Sequence, residues 1–335
     1  MKKVLAIVLA AMMMLVPAMS LAEDFSAAMV TDTGGVNDRS FNQNVHEGLL
    51  MAEKDIEGVT VSYLQSTQES DYAPNLETLL DNGTNLIFGV GFLLADAVKA
   101  AAEANPDTKY VCVDYEYGEG CPENLVGLSF REEQPGFLTG YVAAKMSKTN
   151  KVGFVGGMAV PAVVAYEWGY VAGAKYANPE IEVVQQYANS FNDVSLGKTI
   201  ATQMYDNGCD IVFMCGGTMG TGGIEAAKEK GKWVIGVDTD QNYLAPEAVI
   251  TSAMKYLDVA TAGLVKAAKD GTFAGGDMVV GLEENMVGLA GTTFTTGLVP
   301  AEMEAEIEEI KAQIIAGEIE IPRTQEEAVT MGLVK

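Results

Sequence analysis

The stretch Val30-Thr31-Asp32-Thr33-Gly34-Gly35-Val36-Asn37-Asp38-Arg39-Ser40-Phe41-Asn42-Gln43 joins a short strand-like run to a helical pattern. The run covers residues 27–31, and the pattern after it places apolar residues at positions 45, 49 and 50. Adjacent glycines at such a turn allow positive φ angles and let the backbone approach a ligand closely. Because open α/β sheets bind ligands at the carboxyl ends of their strands, the stretch predicts a binding site in such a fold.

The polar residues of this stretch surround a single aromatic ring. Phe41 stands close in sequence to Asp32, Ser40 and Asn42. This combination suits a flat, neutral, hydroxylated molecule better than a phosphate. The alternative at this point is a turn with a solvated polar tip.

The first 22 residues have the pattern of a cleaved signal peptide. Lys2 and Lys3 precede an apolar run over residues 4–16, and small residues lead up to Ala22. The run is too short to span a bilayer. No cysteine lies where a lipoprotein signal would need one. We therefore expect an exported protein, periplasmic or extracellular, without a lipid anchor or direct membrane insertion.

The mature chain is strongly acidic. The full sequence has 21 basic and 46 acidic residues and a net charge of −25. Without the two leader lysines, 19 basic residues face 46 acidic ones, a net charge of −27. This charge excludes nucleic acid and anionic membranes as natural partners. We expect a monomer.

Strand-like and helical patterns alternate along the mature chain, which is long enough for two domains. Repeated βα units with apolar strands predict parallel sheets covered on both faces, here two doubly wound lobes. Leftover elements after Asp238 suggest that the chain crosses between the lobes near 130, 252 and 288. The expected N-terminal lobe is 23–130 plus 252–288, and the C-terminal lobe is 131–251 plus 289–335. Later elements include a helix over 222–231 and a short strand over 318–322.

The sequence has no catalytic or metal-binding pattern. Its one histidine, His46, lies inside the first helical pattern, and neither G-x-S-x-G nor H-E-x-x-H occurs. The four cysteines fit no zinc spacing; they are Cys112, Cys121, Cys209 and Cys215. Cys112 and Cys121 could close a disulfide loop, whereas the apolar runs around Cys112 and Cys215 favour buried thiols. We expect no enzyme activity, metal or cofactor.

Polar and aromatic residues follow several of the predicted strands. Beyond the opening stretch these are Phe92, Asp114, Phe191, Gly217, Asp238 and Lys255. In two facing doubly wound lobes these strand ends converge on one cleft. The carboxylates there accept hydrogen bonds from ligand hydroxyl or ring N–H groups, and Lys255 supplies a donor. Phe41 and Phe191, one from each lobe, could sandwich a flat base; Tyr166 and Trp168 are alternatives to Phe191.

Several sequence blocks resemble the basic membrane protein family of ABC-transporter substrate-binding proteins, which includes receptors similar to purine nucleoside receptor A. The blocks are residues 32–43, Phe130-Arg131-Glu132-Glu133-Gln134 with Gly140-Tyr141, residues 152–157, Ile235-Gly236-Val237-Asp238-Thr239-Asp240-Gln241 and Thr251-Ser252-Ala253-Met254-Lys255. The resemblance implies a type I periplasmic-binding-protein fold, whose two lobes are joined by three crossovers. It also implies a nucleoside held between two aromatic rings.

The resemblance assigns roles by position. Phe41 matches the first stacking residue, and Asp32, Asn42 and Asp114 match polar contacts in the first lobe. Asp238 and Lys255 match the pair that binds ribose. The leading hypothesis is a receptor that captures a nucleoside, with a purine nucleoside favoured, and delivers it to an ABC permease. The alternatives are a sugar or polyol receptor of the same fold and an exported nucleoside-hydrolysing enzyme.

Overall fold

The computed structural model describes residues 24–334, so the expected signal peptide lies outside the described residues. The first lobe begins with a run of alternating strands and helices. These are β1 (Phe25–Val30), α1 (Phe41–Asp55), β2 (Val59–Leu64), α2 (Tyr72–Asp81), β3 (Leu86–Val90), α3 (Ala95–Ala104), β4 (Lys109–Val113) and β5 (Leu125–Phe130). The alternation predicted from the sequence is therefore present from the first strand onward.

The second lobe repeats the same order of elements. It contains α4 (Glu133–Met146), β6 (Lys151–Gly156), α5 (Pro161–Ala177), β7 (Glu182–Tyr187), α6 (Val194–Asp206), β8 (Ile211–Cys215), α7 (Gly217–Lys230), β9 (Trp233–Asp238) and β10 (Val249–Lys255). The remaining elements are α8 (Leu257–Lys269), β11 (Gly276–Val280), β12 (Val287–Leu289), α9 (Met303–Ile315) and α10 (Gln325–Thr330).

The strands form two six-stranded sheets with matching topology. The order is β2-β1-β3-β4-β5-β11 in the first lobe and β7-β6-β8-β9-β10-β12 in the second. Neighbouring strands are parallel, except that β12 runs antiparallel to β10. The prediction of two doubly wound parallel-sheet lobes joined by three crossovers is confirmed.

Both faces of each sheet are covered by a pair of helices. In β1, Ala27 and Met29 belong to the core under α1 and α8, whereas Ala28 and Val30 belong to the core under α2 and α3. In the second lobe α4 pairs with α5 and α6 pairs with α7. Coverage of both faces is the reason that the strands carry apolar residues at consecutive positions.

The chain crosses between the lobes at the ends of strands. After β5 it enters α4 of the second lobe. The expected crossing near 252 falls inside β10, whose pairing with β9 and β12 continues to Met254 and Lys255, respectively. The chain therefore leaves the second lobe only after Lys255, and it returns there with β12 at Val287, beside the expected position 288.

Two of the secondary-structure predictions for the second half of the chain differ from the structure. The predicted strand over 318–322 is wrong, because these residues form no ladder. Ile319 and Ile321 pack against the core, which explains the alternating pattern without a sheet. α7 begins at Gly217 instead of 222, although glycine disfavours helices. A Cβ atom at Gly222 would lie 2.0 Å from the Val194 carbonyl oxygen, so its absence permits the close packing of α6 and α7.

Candidate functional site

The carboxyl ends of the strands of both sheets face a common cleft between the lobes. Nine of the ten residues predicted for the site line it: Asp32, Phe41, Asn42, Phe92, Asp114, Phe191, Gly217, Asp238 and Lys255. The cleft holds about 640 Å³ of empty space when the part open to solvent is included. Ligand sites combine apolar and aromatic side chains with a few precisely placed polar groups. The lining of the cleft has this composition.

The turn after β1 is held in place by the N-terminus of α1. Asp38 accepts hydrogen bonds from the backbone N–H groups of Ser40 (3.0 Å), Asn42 (2.8 Å) and Gln43 (3.0 Å). These contacts satisfy donors that every helix start leaves unpaired. The turn is thus ordered by a side chain that does not itself line the cleft.

Asp32 lies two residues after β1, and one of its carboxylate oxygens is fixed by the protein. Its Oδ1 accepts from the Asn42 amide at 2.7 Å and from the Gly34 backbone N–H at 2.8 Å. Among the described residues, side-chain hydrogen bonds to this carboxylate use Oδ1, which leaves Oδ2 for a ligand. Burial raises the pKa of Asp32 to about 6. A ligand that donates to Asp32 would stabilise its charged form.

Asp114 and Asp238 occupy equivalent positions in the two lobes. Asp114 directly follows the central strand β4, and Asp238 is the last residue of its counterpart β9. Their φ angles are +65° and +64°. Among residues with a Cβ atom, Asp and Asn are the ones that tolerate this left-handed conformation best. Burial raises the pKa of Asp114 to about 7 and that of Asp238 to about 6. The matched turns direct one carboxylate from each lobe into the cleft.

Lys255 is the one cation in the lining of the cleft, and its side chain is 1% exposed. Its Nζ lies 2.6 Å from Asp114 Oδ1 and 2.9 Å from Glu132 Oε1. Burial alone would lower the pKa of Lys255, but the carboxylates of Asp114, Glu132 and Asp238 outweigh burial and raise it. Lys255 is therefore charged at neutral pH and links the second lobe to a carboxylate of the first.

Aromatic rings enter the cleft from both lobes. Phe41 begins α1, and Lys255 Nζ lies 5.4 Å from the centre of its ring. Phe191 lies in the loop between β7 and α6, where a Cβ atom at Gly157 would come within 2.4 Å of its ring. Gly157 therefore makes room for Phe191. The ring of Phe92 packs against the ring of Tyr115, two residues after β4, with ring centres 5.4 Å apart.

Ser40 and Trp168 lie outside the lining of the cleft. Ser40 is fully buried, and its hydroxyl donates to Asp238 Oδ2. Ser40 thus contacts the carboxylate of Asp238, which lines the cleft, without lining the cleft itself. Trp168 packs with Val171 and Ala328 in a separate cluster, whereas Tyr166 from the same helix does line the cleft.

The sequence revealed neither the apolar residues that the start of α5 adds to the lining nor the second carboxylate on Lys255. Val160, directly before α5, and Ala162 and Val163 on it line the cleft beside Tyr166, which the sequence offered only as an alternative stacking residue. Helix α5 is buried on almost all sides, so its sequence gives no single apolar face. Glu132 lies in the first crossover; it belongs to one of the blocks that resemble the family, but the sequence gave no indication that it contacts Lys255.

Hydrogen bonds join the lobes around the cleft. The Asn192 amide of the second lobe donates to the Thr33 carbonyl oxygen at 3.2 Å. The Gln241 amide donates to the Arg39 carbonyl oxygen at 2.9 Å. Together with the hydrogen bond from Ser40 to Asp238, these contacts attach the turn after β1 to the second lobe. The cleft is accordingly in a closed arrangement.

The remaining titratable candidates lie away from the lining or are inert. His46 packs edge-on against Tyr63, with ring centres 4.9 Å apart, and does not line the cleft. All four cysteines are free thiols. Cys215 lines the cleft, and burial raises the pKa of its thiol. Within residues 24–334 there is no cluster of potential metal ligands and no helix long and apolar enough to cross a membrane.

Two doubly wound lobes, connected three times and enclosing a polar and aromatic cleft, are the architecture of the two-lobed solute-binding proteins. Comparison with known families gives a finer assignment. The model of the Bmp family, described as ABC transporter substrate-binding protein PnrA-like, matches residues 25–325. The chain belongs to this family, as the sequence blocks predicted.

Individual relatives agree with this assignment. Basic membrane protein A2 of Borrelia garinii subsp. bavariensis is 40% identical over 315 residues, which cover 92% of this chain and 91% of the relative. The ABC transporter nucleoside-binding protein BmpA of Lactococcus lactis subsp. cremoris is 39% identical over 319 residues and 89% of each chain. A solved ABC transporter solute-binding protein from Aeropyrum pernix superposes with a TM-score of 0.83 at 28% identity, covering 92% of this chain and 97% of its own.

Proposed function

We propose that this protein binds a nucleoside, preferentially a purine nucleoside, by closure of its two lobes and delivers it to an ABC permease. The observation that carries the proposal is the presence of Phe41 from one lobe and Phe191 from the other in the lining of a cleft that also contains buried carboxylates and one lysine. Stacking of a base on an aromatic ring contributes about 1–3 kcal/mol. A ligand that spans both rings would favour the closed arrangement.

The polar groups of the cleft fit the ribose part of a nucleoside. Asp238 and Lys255 are the proposed ribose-binding pair, with Asp32, Asn42 and Asp114 as further polar contacts. Carboxylates accept hydrogen bonds from ligand hydroxyls, and the lysine donates to their oxygens. Phe92 and Gly217 are proposed as walls of the site, and Ser40 as a residue that acts by orienting Asp238.

The charge of the cleft argues for an uncharged ligand. Asp32, Asp114 and Asp238 line it together with one lysine, which is already paired. A phosphate group would meet carboxylates without a free cation, so nucleotides should bind far more weakly than nucleosides. The relative from Lactococcus lactis, named a nucleoside-binding protein, supports the same class of ligand.

We propose the three crossovers as the hinge and the lobes as the moving units. Closure would then bring together groups that the open form separates, namely Phe41 with Phe191 and Asp114 with Lys255. Such a site binds without a group arranged to break a bond, so we propose binding and transport without catalysis. Export and a monomeric state remain parts of the same proposal.

A thermal-shift panel tests the ligand class. Purine nucleosides should raise the midpoint of thermal unfolding increasingly as their free concentration exceeds Kd. Free bases, nucleotides and sugars should have little effect, and no free base should appear after incubation with nucleoside. Failure of every nucleoside to stabilise the protein would contradict the proposal, and stabilisation by a sugar alone would favour a sugar receptor.

Substitution of the two rings tests the mode of binding. Phe41→Ala and Phe191→Ala should each weaken nucleoside binding about fivefold to 150-fold, as expected for the loss of about 1–3 kcal/mol of stacking. Phe273→Ala is the matched control, because Phe273 is partly buried against the core but does not line the cleft. Calorimetric Kd values equal to that of the parent protein in both cleft variants would contradict the stacking model.

A further inference from the structure

Tyr166 has a polar group that the protein itself leaves without a partner. Its side chain is 2% exposed and lines the cleft from α5. The ring packs edge-on against Phe213, with ring centres 5.9 Å apart. Within residues 24–334 its hydroxyl oxygen is buried and makes no hydrogen bond. A buried hydroxyl without a partner is costly and calls for a physical explanation.

The surroundings of this hydroxyl make it a hydrogen-bond donor. Burial and the nearby carboxylates of Asp238, Glu132 and Asp114 raise the pKa of Tyr166, so it remains protonated. These carboxylates accept from other groups, Ser40 on Asp238 and Lys255 on Asp114 and Glu132, and within residues 24–334 none of them accepts from the Tyr166 hydroxyl. The cleft that Tyr166 lines is therefore the place from which a ligand can supply the missing acceptor.

An unpartnered hydroxyl alone does not single out Tyr166. Tyr72, Tyr110 and Tyr170 are also buried with hydroxyls that have no hydrogen bond among the described residues. Of these four, Tyr166 is the one that lines the cleft. Tyr170 follows one turn later on α5, and its ring packs between those of Phe154 and Phe213. The comparison separates the effect of position from the effect of an unpartnered hydroxyl.

We propose that Tyr166 is a specificity-determining residue that donates a hydrogen bond to one hydroxyl oxygen of the bound ligand. A ligand hydroxyl both donates and accepts, so the same group can donate to Asp238 or Asp114 while it accepts from Tyr166. The inference rests on the proposed function, in which that group is a ribose hydroxyl. It gives Tyr166 a polar role in place of the stacking role considered from the sequence.

The test combines a variant that removes one oxygen atom with ligands that each lack one hydroxyl. Calorimetric Kd values are measured for a purine ribonucleoside and its 2′-, 3′- and 5′-deoxy forms with the parent protein and with Tyr166→Phe. Tyr166→Phe should weaken binding of the ribonucleoside about threefold to tenfold, the effect of one neutral hydrogen bond. For one of the three deoxynucleosides, the substitution should have no effect.

Tyr170→Phe is the matched control and should leave all four Kd values unchanged. The ligand-free melting temperature of Tyr166→Phe should equal or exceed that of the parent, because the variant no longer buries an unpartnered hydroxyl. Tyr166→Met, which also lacks the oxygen but leaves part of the space of the ring unfilled, serves as a second variant and should give the same order of effects across the four ligands.

Three outcomes would overturn the inference. They are an unchanged ribonucleoside Kd in Tyr166→Phe, an equal loss for all three deoxynucleosides, and the same loss in Tyr170→Phe. The failure of the proposed function is distinguishable, since in that case the parent protein would bind no nucleoside at all.

Discussion

Replacing Lys255 with methionine should destabilise the protein strongly. The ammonium group lies 2.6 Å from Asp114 and 2.9 Å from Glu132, and the three side chains are 1%, 10% and 3% exposed. Methionine fills similar space but leaves both carboxylates without this partner. Breaking a buried ion pair from one side typically costs about 3–5 kcal/mol. We expect a loss of this size in the free energy of unfolding at pH 7.5.

The cost of Lys255→Met should shrink in acid. In the parent protein the pKa of Asp114 is about 7, above the value of 3.8 expected when unfolded. Without Lys255 this pKa must rise further, so the folded variant takes up a proton that the unfolded chain does not bind near pH 5. The folded variant therefore gains stability as the pH falls. The raised pKa of Lys255 keeps its charge constant over this range in the parent.

Urea unfolding followed by circular dichroism at pH 7.5 and pH 5 measures both effects. Lys266→Met is the control, because Lys266 is exposed and pairs with Asp270 on the surface of α8. Its cost should stay below about 1 kcal/mol at either pH. A cost for Lys255→Met that is as small as that of the control, or equal at the two pH values, would refute the role of Lys255 as a buried counter-charge.

Further predictions concern packing and thiol reactivity. Gly173→Ala should destabilise the protein by about 1–3 kcal/mol or more in urea unfolding, because its Cβ atom would lie 1.9 Å from the Phe137 carbonyl oxygen. Gly263 is an exposed helical position with open space around it, so Gly263→Ala should stabilise the protein by about 0.5–1 kcal/mol. Equal effects of the two substitutions would contradict the close packing of α4 and α5. Alkylation of the folded protein should modify Cys121 alone, since the other three cysteines are buried, and intact-mass measurement showing more than one adduct would refute this.

Much of the site could be predicted because strand ends are local features of the sequence. Asp114, Asp238 and Lys255 follow or end apolar runs, and the topology of a doubly wound sheet places such ends at one edge. Phe41 and Phe191 could be recognised because each is an aromatic residue within a polar stretch of sequence. Because the two lobes have the same topology, one ring from each lobe is expected at the shared cleft.

Which residues of α5 line the cleft could not be predicted, because this helix is buried on almost all sides. Tyr166 and Trp168 are both large aromatics on this helix, and sequence alone does not rank them. Two residues correspond to a rotation of about 200° around a helix with 3.6 residues per turn. One ring therefore reaches the cleft while the other packs with Val171 and Ala328 on another side of the helix. Only tertiary packing decides which ring faces the ligand space.

The role of Glu132 was hidden for a related reason. It lies at the crossover between β5 and α4, where an acidic pair is a common helix start. Its contact with Lys255 joins residues 123 positions apart in sequence. The two strands that position them belong to different sheets, so no local pattern indicates the contact.

A crystal structure of the protein grown with a purine nucleoside tests the central claim most directly. We expect electron density for the base between the rings of Phe41 and Phe191, with ribose oxygens within hydrogen-bond distance of Asp238 and Lys255. Density for the nucleoside outside the cleft, or a base that contacts neither ring, would contradict the claim.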